Sequence, residues 1–490
     1  MNRLNPRNLF LVSFAVFFIS FSAWSFADPL VIAPDEQAHI IRAYALDHGQ
    51  IGSDVPGKNY LVNVSVPKSI NFTNLYPVCF QFKALNPASC APKWDESNQV
   101  VETTTYVGHY PPFYYSIVGI GSYVGSGRTA IYAMRLISSL LNALMISFGL
   151  YALSKWSKRR FTYLGYLLVT TPVVYLLGSS VNPSGFEIST SILFWTLIAI
   201  IGFEHRADPP PGLIKLLAFA SIVFSLIRGL SLLWIAIGAC SLVALIKPKE
   251  VLRLLKERRD IQIATFSVGA SGLLAALWIF TQGTLNIFPI GAPVPPGSSS
   301  FTILNLVLHR VHGWLNQSVG ILGWLNIPLP RLLYYVWILL FIGAVVAGIY
   351  YANKKEKIVL ATVAMLSIGV PIALVFHEAK RLGVVWQGRD SMPLLVGAII
   401  LGTALCTTVL RKKGIFVVGG IISCLTFFQL FAFWQNLRVY TVGRAGDRFF
   451  FIHTTSWSPP IPSFLLVGIY GILTLIISYS VFSKLRDSES

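Results

Sequence analysis

Long apolar runs, separated by short polar connections, make up most of this chain. Several runs reach the length of about 20 residues that an α-helix needs to cross a bilayer. We therefore predict an all-α polytopic membrane protein of about twelve transmembrane helices in a single domain, residues 1–490. The predicted spans are residues 9–27, 131–154, 161–180, 186–204, 213–227, 229–246, 262–281, 332–352, 357–376, 391–410, 414–434 and 462–482.

The basic residues predict the orientation of these spans. Lys and Arg cluster in four short connections, at residues 155–160, 247–259, 354–357 and 411–413. Connections of this kind stay on the cytoplasmic side. With an even number of spans, both termini are then cytoplasmic as well.

The same orientation predicts which segments lie outside the cell. The apolar stretch 113–124 is short and follows Pro111-Pro112. We therefore expect it to be a juxtamembrane helix on the outer face and not a span. The extracytoplasmic segments are then residues 28–130, 282–331, 377–390 and 435–461.

Composition excludes a soluble globular protein and a nucleic-acid-binding one. Only 12% of the residues are charged and 54% are hydrophobic, whereas a soluble domain carries about 25% charged residues. The net charge of +18 resides in the connections between helices and not on one folded face. Cys79 and Cys90 both fall in the first outer segment, where we predict that they form a disulfide.

An acidic pair, Asp35-Glu36, directly follows the first predicted helix. The sequence 35–47 is typical of a helix, in which Asp35, His39 and Arg42 share one face. One interpretation is that the two acids only stabilise the start of an interfacial helix. The other is that they belong to a catalytic site at the membrane surface.

Two further groups of residues are candidates for substrate binding. The sequence His109-Tyr110-Pro111-Pro112-Phe113-Tyr114-Tyr115 suits either an aromatic belt at the lipid interface or a helix that docks a lipid or sugar. The second group is Gln387-Gly388-Arg389-Asp390, which Lys380 and Arg381 precede. It suits either lipid-headgroup anchoring or phosphate binding, because the planar guanidinium of Arg can form two parallel hydrogen bonds to a phosphate.

Glu187 and Arg228 are ionisable residues that lie within or next to predicted spans. Charged groups at bilayer depth are costly and are therefore candidates for function. Both residues also lie near predicted helix ends, so that their side chains could instead extend to the membrane surface.

The order of these motifs resembles two groups of known proteins. The acidic pair, the long outer segment and the His-Tyr-Pro-Pro-x-Tyr-Tyr sequence resemble the GT-C class of membrane glycosyltransferases. Over most of its length the chain is similar to the bacterial domain of unknown function 2142 family. That family usually continues its Gln-Gly-Arg motif with an aromatic residue and Pro, whereas this chain has Asp390-Ser391-Met392-Pro393. The residues that carry the second likeness are 34–39, 110–115, Asn182-Pro183, 323–325 and 387–389.

The GT-C resemblance implies a GT-C-like fold and an inverting transfer of a sugar from a polyprenyl-phosphate donor. The acceptor would be a cell-envelope glycan, lipid or protein, on the outer face of a bacterial plasma membrane whose lipids surround the protein. Asp35 is the expected general base, with Glu36 second. The other expected site residues are Arg389, Arg381, Lys380, His39 and Arg42 for the donor phosphate, and His109, Tyr110, Tyr114, Tyr115, Gln387 and Trp324 for substrate.

Some members of the class use a divalent metal. The chain has no Asp-x-Asp motif, so we assign no metal ligand. Two other functions remain compatible with the sequence. A lipid-linked glycan polymerase or ligase would depend more on the last outer segment, with Arg438, Arg444 and His453. A lipid or glycolipid flippase or transporter would place ionisable groups near the bilayer midplane.

Overall fold

The computed structural model describes residues 5–286, 291, 294–406, 412–450 and 457–486. His453 and the start of the fourth basic connection, including Arg411, lie outside these residues. The first ten helices are α1 Pro6–Ala27, α2 Glu36–Asp47, α3 Lys68–Asn71, α4 Phe113–Val118, α5 Gly127–Trp156, α6 Thr162–Val169, α7 Pro172–Gly178, α8 Pro183–Glu204, α9 Pro211–Ser225 and α10 Ser231–Ile246. The remaining helices are α11 Pro248–Glu257, α12 Arg259–Thr281, α13 Ser300–Gly320, α14 Arg331–Tyr351, α15 Lys354–Leu382, α16 Gly388–Leu405, α17 Lys412–Val442 and α18 Ser463–Arg486.

The chain is a polytopic helical membrane protein, as the hydrophobic pattern predicts. Within the described residues, nine helices are long and apolar enough to cross a bilayer. The number is ten if α10 and α11, which bend by 98° at their junction, form one span. The predicted count of twelve is therefore not confirmed. The difference lies in α9, which has only 15 residues, and in the predicted span 161–180, which is broken.

The break between α6 and α7 has a clear cause. Pro172 has no backbone N–H, so one helical hydrogen bond is lost at this point, and a new helix begins with Pro172 in its first turn. Hydrogen bonds to distant helices use the polar groups at the break. The Thr171 hydroxyl donates to the Ser318 carbonyl at 2.8 Å, and the Gln429 amide donates to the Thr170 carbonyl. Irregular backbone at membrane depth is tolerated where the protein itself supplies such partners.

Helix α8 is the centre of the bundle and is buried along most of its length. It packs against α5 and α16, and α5 in turn packs against α1. This packing brings the end of α1, which leads into α2, and the start of α16, which lies beside α13, to one end of the bundle.

The segment 28–130 forms a small layer over that end of the bundle. It holds α2, α3, α4 and an antiparallel sheet in the order β1 Ser53–Val55, β2 Lys58–Pro67, β3 Val100–Thr105. The Val-rich stretch 61–66 lies in β2, where side chains on alternate sides are buried and exposed. A disulfide joins Cys79 to Cys90 in the connection between β2 and β3. Helix α4 has only six residues, too few to cross a bilayer.

The other predicted outer segments differ from simple loops. Segment 282–331 contains α13, whose first turn is capped by the Ser299 hydroxyl, an acceptor for the Thr302 N–H. Helix α15 continues to Leu382 and α17 to Val442. Residues 377–382 and 435–442 are therefore helical, and the connections proper are shorter than predicted.

Candidate active site

The Asp35 carboxylate and the Arg389 guanidinium form an ion pair. Asp35 lies at the start of α2 with a left-handed backbone, φ 69°, which is uncommon for a residue other than Gly. Its second carboxylate oxygen accepts a hydrogen bond from the Tyr106 hydroxyl at 2.8 Å. Arg389 also donates to the carbonyl of Pro34, at 3.2 Å. The first outer segment and the start of α16 are thus joined at one point.

The surroundings of Asp35 keep its side chain ionised. Burial alone would raise the pKa of this carboxyl, but the charge of Arg389 and the hydrogen bond from Tyr106 outweigh it, and the pKa lies below its usual value. Burial and the nearby Asp35 charge raise the pKa of Tyr106, so that its hydroxyl remains a proton donor. The ionised carboxylate has the protonation state that a general base needs, and its low pKa makes it a weak base while Arg389 remains paired with it.

The start of α16 approaches α13 closely, which places Arg389. A Cβ atom on Gly388 would lie 2.2 Å from the Trp314 carbonyl oxygen, so only Gly fits there. The Gly388 N–H donates to the Gln317 side chain at 2.7 Å, and the Ser318 hydroxyl donates to the Gly388 carbonyl at 3.0 Å. The glycine of the Gln-Gly-Arg motif therefore has a packing role next to the ion pair.

Glu36 occupies a different environment from its neighbour. Its two carboxylate oxygens each accept a 2.7 Å hydrogen bond from Arg135, and both side chains are fully buried. The Val181 N–H donates to the same carboxylate at 3.1 Å. Arg135 also donates to the carbonyl of Ser25 in the last turn of α1 and to those of Asp28 and Pro29, which follow α1. This arrangement fixes α2 onto α5 and favours a positioning role for Glu36 over the predicted catalytic one.

His39 lies one helical turn from Asp35 and is neutral. Burial is the main cause that lowers the pKa of this imidazole to about 3. Its Nδ1 atom is 2.8 Å from the Tyr115 hydroxyl. A neutral His39 can orient its neighbours, but it brings no positive charge to the predicted phosphate site.

Arg42 completes the predicted polar face of α2 but does not join the ion pair. Its guanidinium is buried and donates to the Ile51 carbonyl at 2.9 Å. Its Nε and Nη2 atoms have no hydrogen-bond partner within the described part of the chain. Burial lowers the pKa of this group. Its predicted role in binding the donor phosphate stays a prediction.

A second charged cluster lies beside Arg389. Arg228 donates to Glu187 at 2.9 Å and to Asp390 at 3.0 Å, and the Ser231 hydroxyl donates to Glu187 at 2.8 Å. Glu187 and Arg228 therefore pair with each other. From the sequence, Glu187 and Arg228 were predicted only as two ionisable residues near the membrane, and no partner was predicted for Asp390.

The predicted aromatic residues divide into buried and partly exposed positions. Tyr114 and Tyr115 are fully buried, and the hydroxyl of Tyr114 lies 2.9 Å from Ser138 Oγ. Their predicted role in substrate binding stays a prediction. Tyr110 lies near His39, with ring centroids 6.1 Å apart. His109 lies 3.3 Å from the Asp54 carboxylate.

Lys380 and Arg381 lie apart from the ion pair. Both are exposed on the last turn of α15. Arg381 donates to Glu378 of the same helix at 2.6 Å. In the described ranges neither residue has a hydrogen bond or ion pair with Asp35 or Arg389. Because α15 continues to Leu382, it keeps these side chains on its own surface.

A cavity of about 330 Å³ opens beside Asp35. Tyr106, Trp324 and Gln387 line it together with residues of the disulfide-linked connection. The Asp35 carboxylate is the ionised group at its wall, next to Arg389. A ligand in this cavity would lie beside an ionised carboxylate whose charge Arg389 balances.

The residues around Asp35 do not form a metal site. Arg389 and Tyr106 occupy its carboxylate oxygens. Throughout the described ranges, no group of three His, Cys, Asp or Glu side chains could hold a metal ion. We derive no step through a metal.

The model of a family described as predicted membrane proteins (DUF2142) matches residues 18–398. The chain belongs to this family. No curated protein matches it. Two solved structures of ArnT from Cupriavidus metallidurans are similar to it, one bound to undecaprenyl phosphate and one in the apo state. The identities are 15% and 14%, and the TM-scores are 0.44 and 0.42. Each alignment covers 98% of this chain and 76% of ArnT.

Both sides of the Asp35–Arg389 pair fall within the part of the chain that the family model matches. So do the Glu36–Arg135 pair and the cluster of Arg228, Glu187 and Asp390. The last segment, with α17 and α18, lies beyond it. The candidate site is therefore built from the family domain.

Proposed function

We propose that this protein transfers a sugar from a polyprenyl-phosphate donor to an acceptor hydroxyl on the outer face of the plasma membrane. The observation that carries the proposal is the ion pair between Arg389 and Asp35, whose carboxylate lines a cavity. It combines an ionised carboxylate, suited to take a proton, with a guanidinium, suited to bind phosphate.

In the proposed step Asp35 accepts the proton of the acceptor hydroxyl. The acceptor oxygen forms a bond to the anomeric carbon from the face opposite the phosphate. The bond from that carbon to the phosphate oxygen breaks, and its electron pair passes to the phosphate. The products are the inverted glycoside, polyprenyl phosphate and a protonated Asp35, which returns its proton to water.

Arg389 would stabilise negative charge both before and during this reaction. Before it, the guanidinium balances the charge of Asp35. During the step the acceptor proton neutralises Asp35 while negative charge develops on the phosphate, so Arg389 has an anionic partner throughout. Fixed charges of this kind are most effective where water is excluded, because they need no reorganisation as the reaction proceeds.

Arg228 would support this arrangement and not bind phosphate itself. Its guanidinium is bound to Glu187 and Asp390, which leaves it charge-balanced. Asp390 also accepts the Gln387 N–H at 3.2 Å. The cluster thereby fixes the residues on both sides of Arg389. We infer a positioning role for it.

The opposite ends of α8 support a site on the outer face. Glu187 lies near its start, and Glu204 at its end pairs with Arg159 of the first basic connection. At 1.5 Å per residue these positions are about 25 Å apart along the helix, close to the thickness of the hydrocarbon core. If the basic connection is cytoplasmic, Asp35 and Arg389 lie outside. The disulfide in the same layer agrees with an oxidising compartment.

The polymerase or ligase alternative finds less support. Arg438, near the end of α17, donates to the carbonyls of Gly446 and Asp447 in the connection that follows this helix. The Arg444 N–H donates to the Ala84 carbonyl at 3.0 Å, so this segment braces the disulfide-linked connection. Both contacts indicate a structural role for the part of the last outer segment that is described.

The test is sugar transfer by the purified protein in lipid vesicles. A panel of radiolabelled polyprenyl-phosphate sugars serves as donor, with cell-envelope extract as acceptor. Label transferred to the extract would support the proposal. Movement of the labelled lipid between leaflets without transfer would replace it with the flippase, and growth of a lipid-linked chain would replace it with the polymerase.

A further inference from the structure

The cavity beside Asp35 has a chemically distinctive wall. Besides Asp35 and Tyr106, three amide side chains line it, those of Gln37, Gln81 and Gln387. Phe82 and Trp324 add two aromatic rings. Among the described residues that form the wall, Asp35 is the only carboxylate and there is no Lys or Arg. Since Arg389 neutralises Asp35, the cavity offers hydrogen bonds and aromatic surface but little net charge.

The amide of Gln37 adds a second observation. Its Oε1 atom is buried and has no hydrogen-bond partner among the described residues. A buried polar atom without a partner costs free energy, which a bound ligand can recover by donating to it once the Gln37 side chain turns toward the cavity. Because amides both donate and accept hydrogen bonds, a set of them matches a ligand rich in hydroxyl groups.

Two of the lining residues, Gln81 and Phe82, come from the connection closed by the Cys79–Cys90 disulfide. The Phe82 ring contacts the Trp324 ring edge-on, with centroids 5.6 Å apart. Phe82 has a left-handed backbone, φ 60°, and 67% of its surface is exposed. A bulky residue rarely adopts this conformation, and such strain is found at ligand-binding positions.

The connection is held in place on both sides. The Asn86 side chain donates to the Cys79 carbonyl at 2.8 Å, and the Arg444 N–H donates to the Ala84 carbonyl at 3.0 Å. Trp324 is buried and donates to the Val31 carbonyl at 2.9 Å, which fixes its ring opposite Phe82. The two rings therefore form a supported wall of the cavity.

We propose that this cavity is the acceptor subsite, that it binds a neutral, hydroxyl-rich glycan, and that the disulfide-linked connection selects that acceptor. The inference rests on the proposed transferase function. Sugar rings present hydroxyl edges and apolar C–H faces, which match the amides and the aromatic rings respectively. A hydroxyl of such a ligand would lie beside Asp35, where the proton must be removed. An acidic sugar would bring its charge next to that carboxylate without a free cation to balance it.

The test measures binding to the full-length protein in lipid nanodiscs by titration calorimetry. The probes are tetrasaccharides of glucose, mannose and galactose, with those of galacturonic acid and glucosamine for comparison. We expect at least one neutral tetrasaccharide to bind and both charged ones to bind more weakly. Phe82→Ala and Gln81→Ala should each weaken binding about two- to tenfold, in line with the loss of one aromatic or polar contact.

Leu85→Ala is the matched control, since Leu85 lies in the same connection, is 69% exposed and does not line the cavity. Equal affinities in the Phe82 and Leu85 variants would overturn the proposal. So would stronger binding of the acidic tetrasaccharide, or no saturable binding of any neutral one at millimolar concentration.

Undecaprenyl phosphate binding by the same preparations separates this proposal from the transferase function. The Phe82 and Gln81 variants should leave it unchanged, whereas Arg389→Lys should weaken it. If neutral glycan binding depends on Phe82 but undecaprenyl phosphate binding does not depend on Arg389, the glycan site is supported and the proposed phosphate role of Arg389 is refuted.

Discussion

Asp35 and Arg389 form an ion pair although 354 positions separate them in the chain. One residue follows the first helix and the other begins α16, so the pair closes the helical bundle at one end. Neither residue needs the other for helix formation. Asp35 lines the cavity, and Arg389 balances its charge there.

Replacing Arg389 by Lys should weaken donor binding. Lysine keeps the charge but loses the planar fork, so we expect undecaprenyl phosphate to bind about ten- to a hundredfold more weakly, as for the loss of one charged hydrogen bond. Titration of undecaprenyl phosphate into the protein in nanodiscs measures this. Arg381→Lys is the control, because Arg381 is exposed and pairs with Glu378. An equal loss in both variants would show that Arg389 has no special role.

Glu36→Gln should destabilise the protein far more than a surface change. It leaves the Arg135 charge buried without its partner, which typically costs about 3–5 kcal/mol of unfolding free energy. Thermal unfolding in nanodiscs measures the effect. The double variant Glu36→Gln/Arg135→Met should lose less than the sum of the two single changes, since the residues are in contact. An unchanged melting temperature in Glu36→Gln would contradict the positioning role.

His39 should make the protein less stable as the pH falls. Its pKa is about 3 in the folded protein against a usual value of 6.5, so between these values the unfolded chain binds more protons. The contribution to stability is thus fully present above pH 6.5 and is lost as the pH falls toward 3. His39→Gln should reduce this dependence, measured as melting temperature against pH. The exposed His48→Gln should not, and equal pH profiles for the two variants would argue against a buried neutral His39.

The pH dependence of transfer should differ between the free enzyme and its donor complex. In the free enzyme Arg389 holds the pKa of Asp35 below its usual value. A bound phosphate shares that guanidinium, so the pKa should rise in the complex. Because kcat/KM reports the free enzyme and kcat the complex, the acid limb of kcat should lie at higher pH. Coinciding limbs would mean that phosphate does not compete for Arg389.

The sequence predicted much of the helical framework but not the contacts between residues that are far apart in the chain. Alternating apolar and polar stretches predicted α1, α8 and α14, because their hydrophobic residues are continuous. The break at Thr170–Pro172 was missed, since its polar groups are bound by residues 147 and 259 positions away. A local sequence pattern does not indicate hydrogen-bond partners at such separations.

For the candidate site too, the sequence indicated single residues but not their distant partners. Asp35, His39 and Arg389 were found because their residue types are unusual where they occur. The Arg135–Glu36 and Arg228–Asp390 pairs span 99 and 162 positions and left only a faint signal, namely ionisable residues in apolar surroundings. Lys380 and Arg381 were predicted to belong to the site because they are close to Arg389 in the sequence. Helix α15 continues to Leu382, however, and carries both residues on its own surface.

The most direct test of the account is the rate of sugar transfer in vesicles by wild type, Asp35→Asn and Glu102→Gln. Glu102 is an exposed carboxylate on β3, in the same layer as Asp35, and serves as the control. We expect Asp35→Asn to reduce kcat by about 10²–10⁴-fold, the usual effect of losing a general base, while Glu102→Gln retains the wild-type rate. A normal melting temperature must accompany the loss. Transfer by Asp35→Asn at the wild-type rate would contradict the central claim that Asp35 removes the acceptor proton.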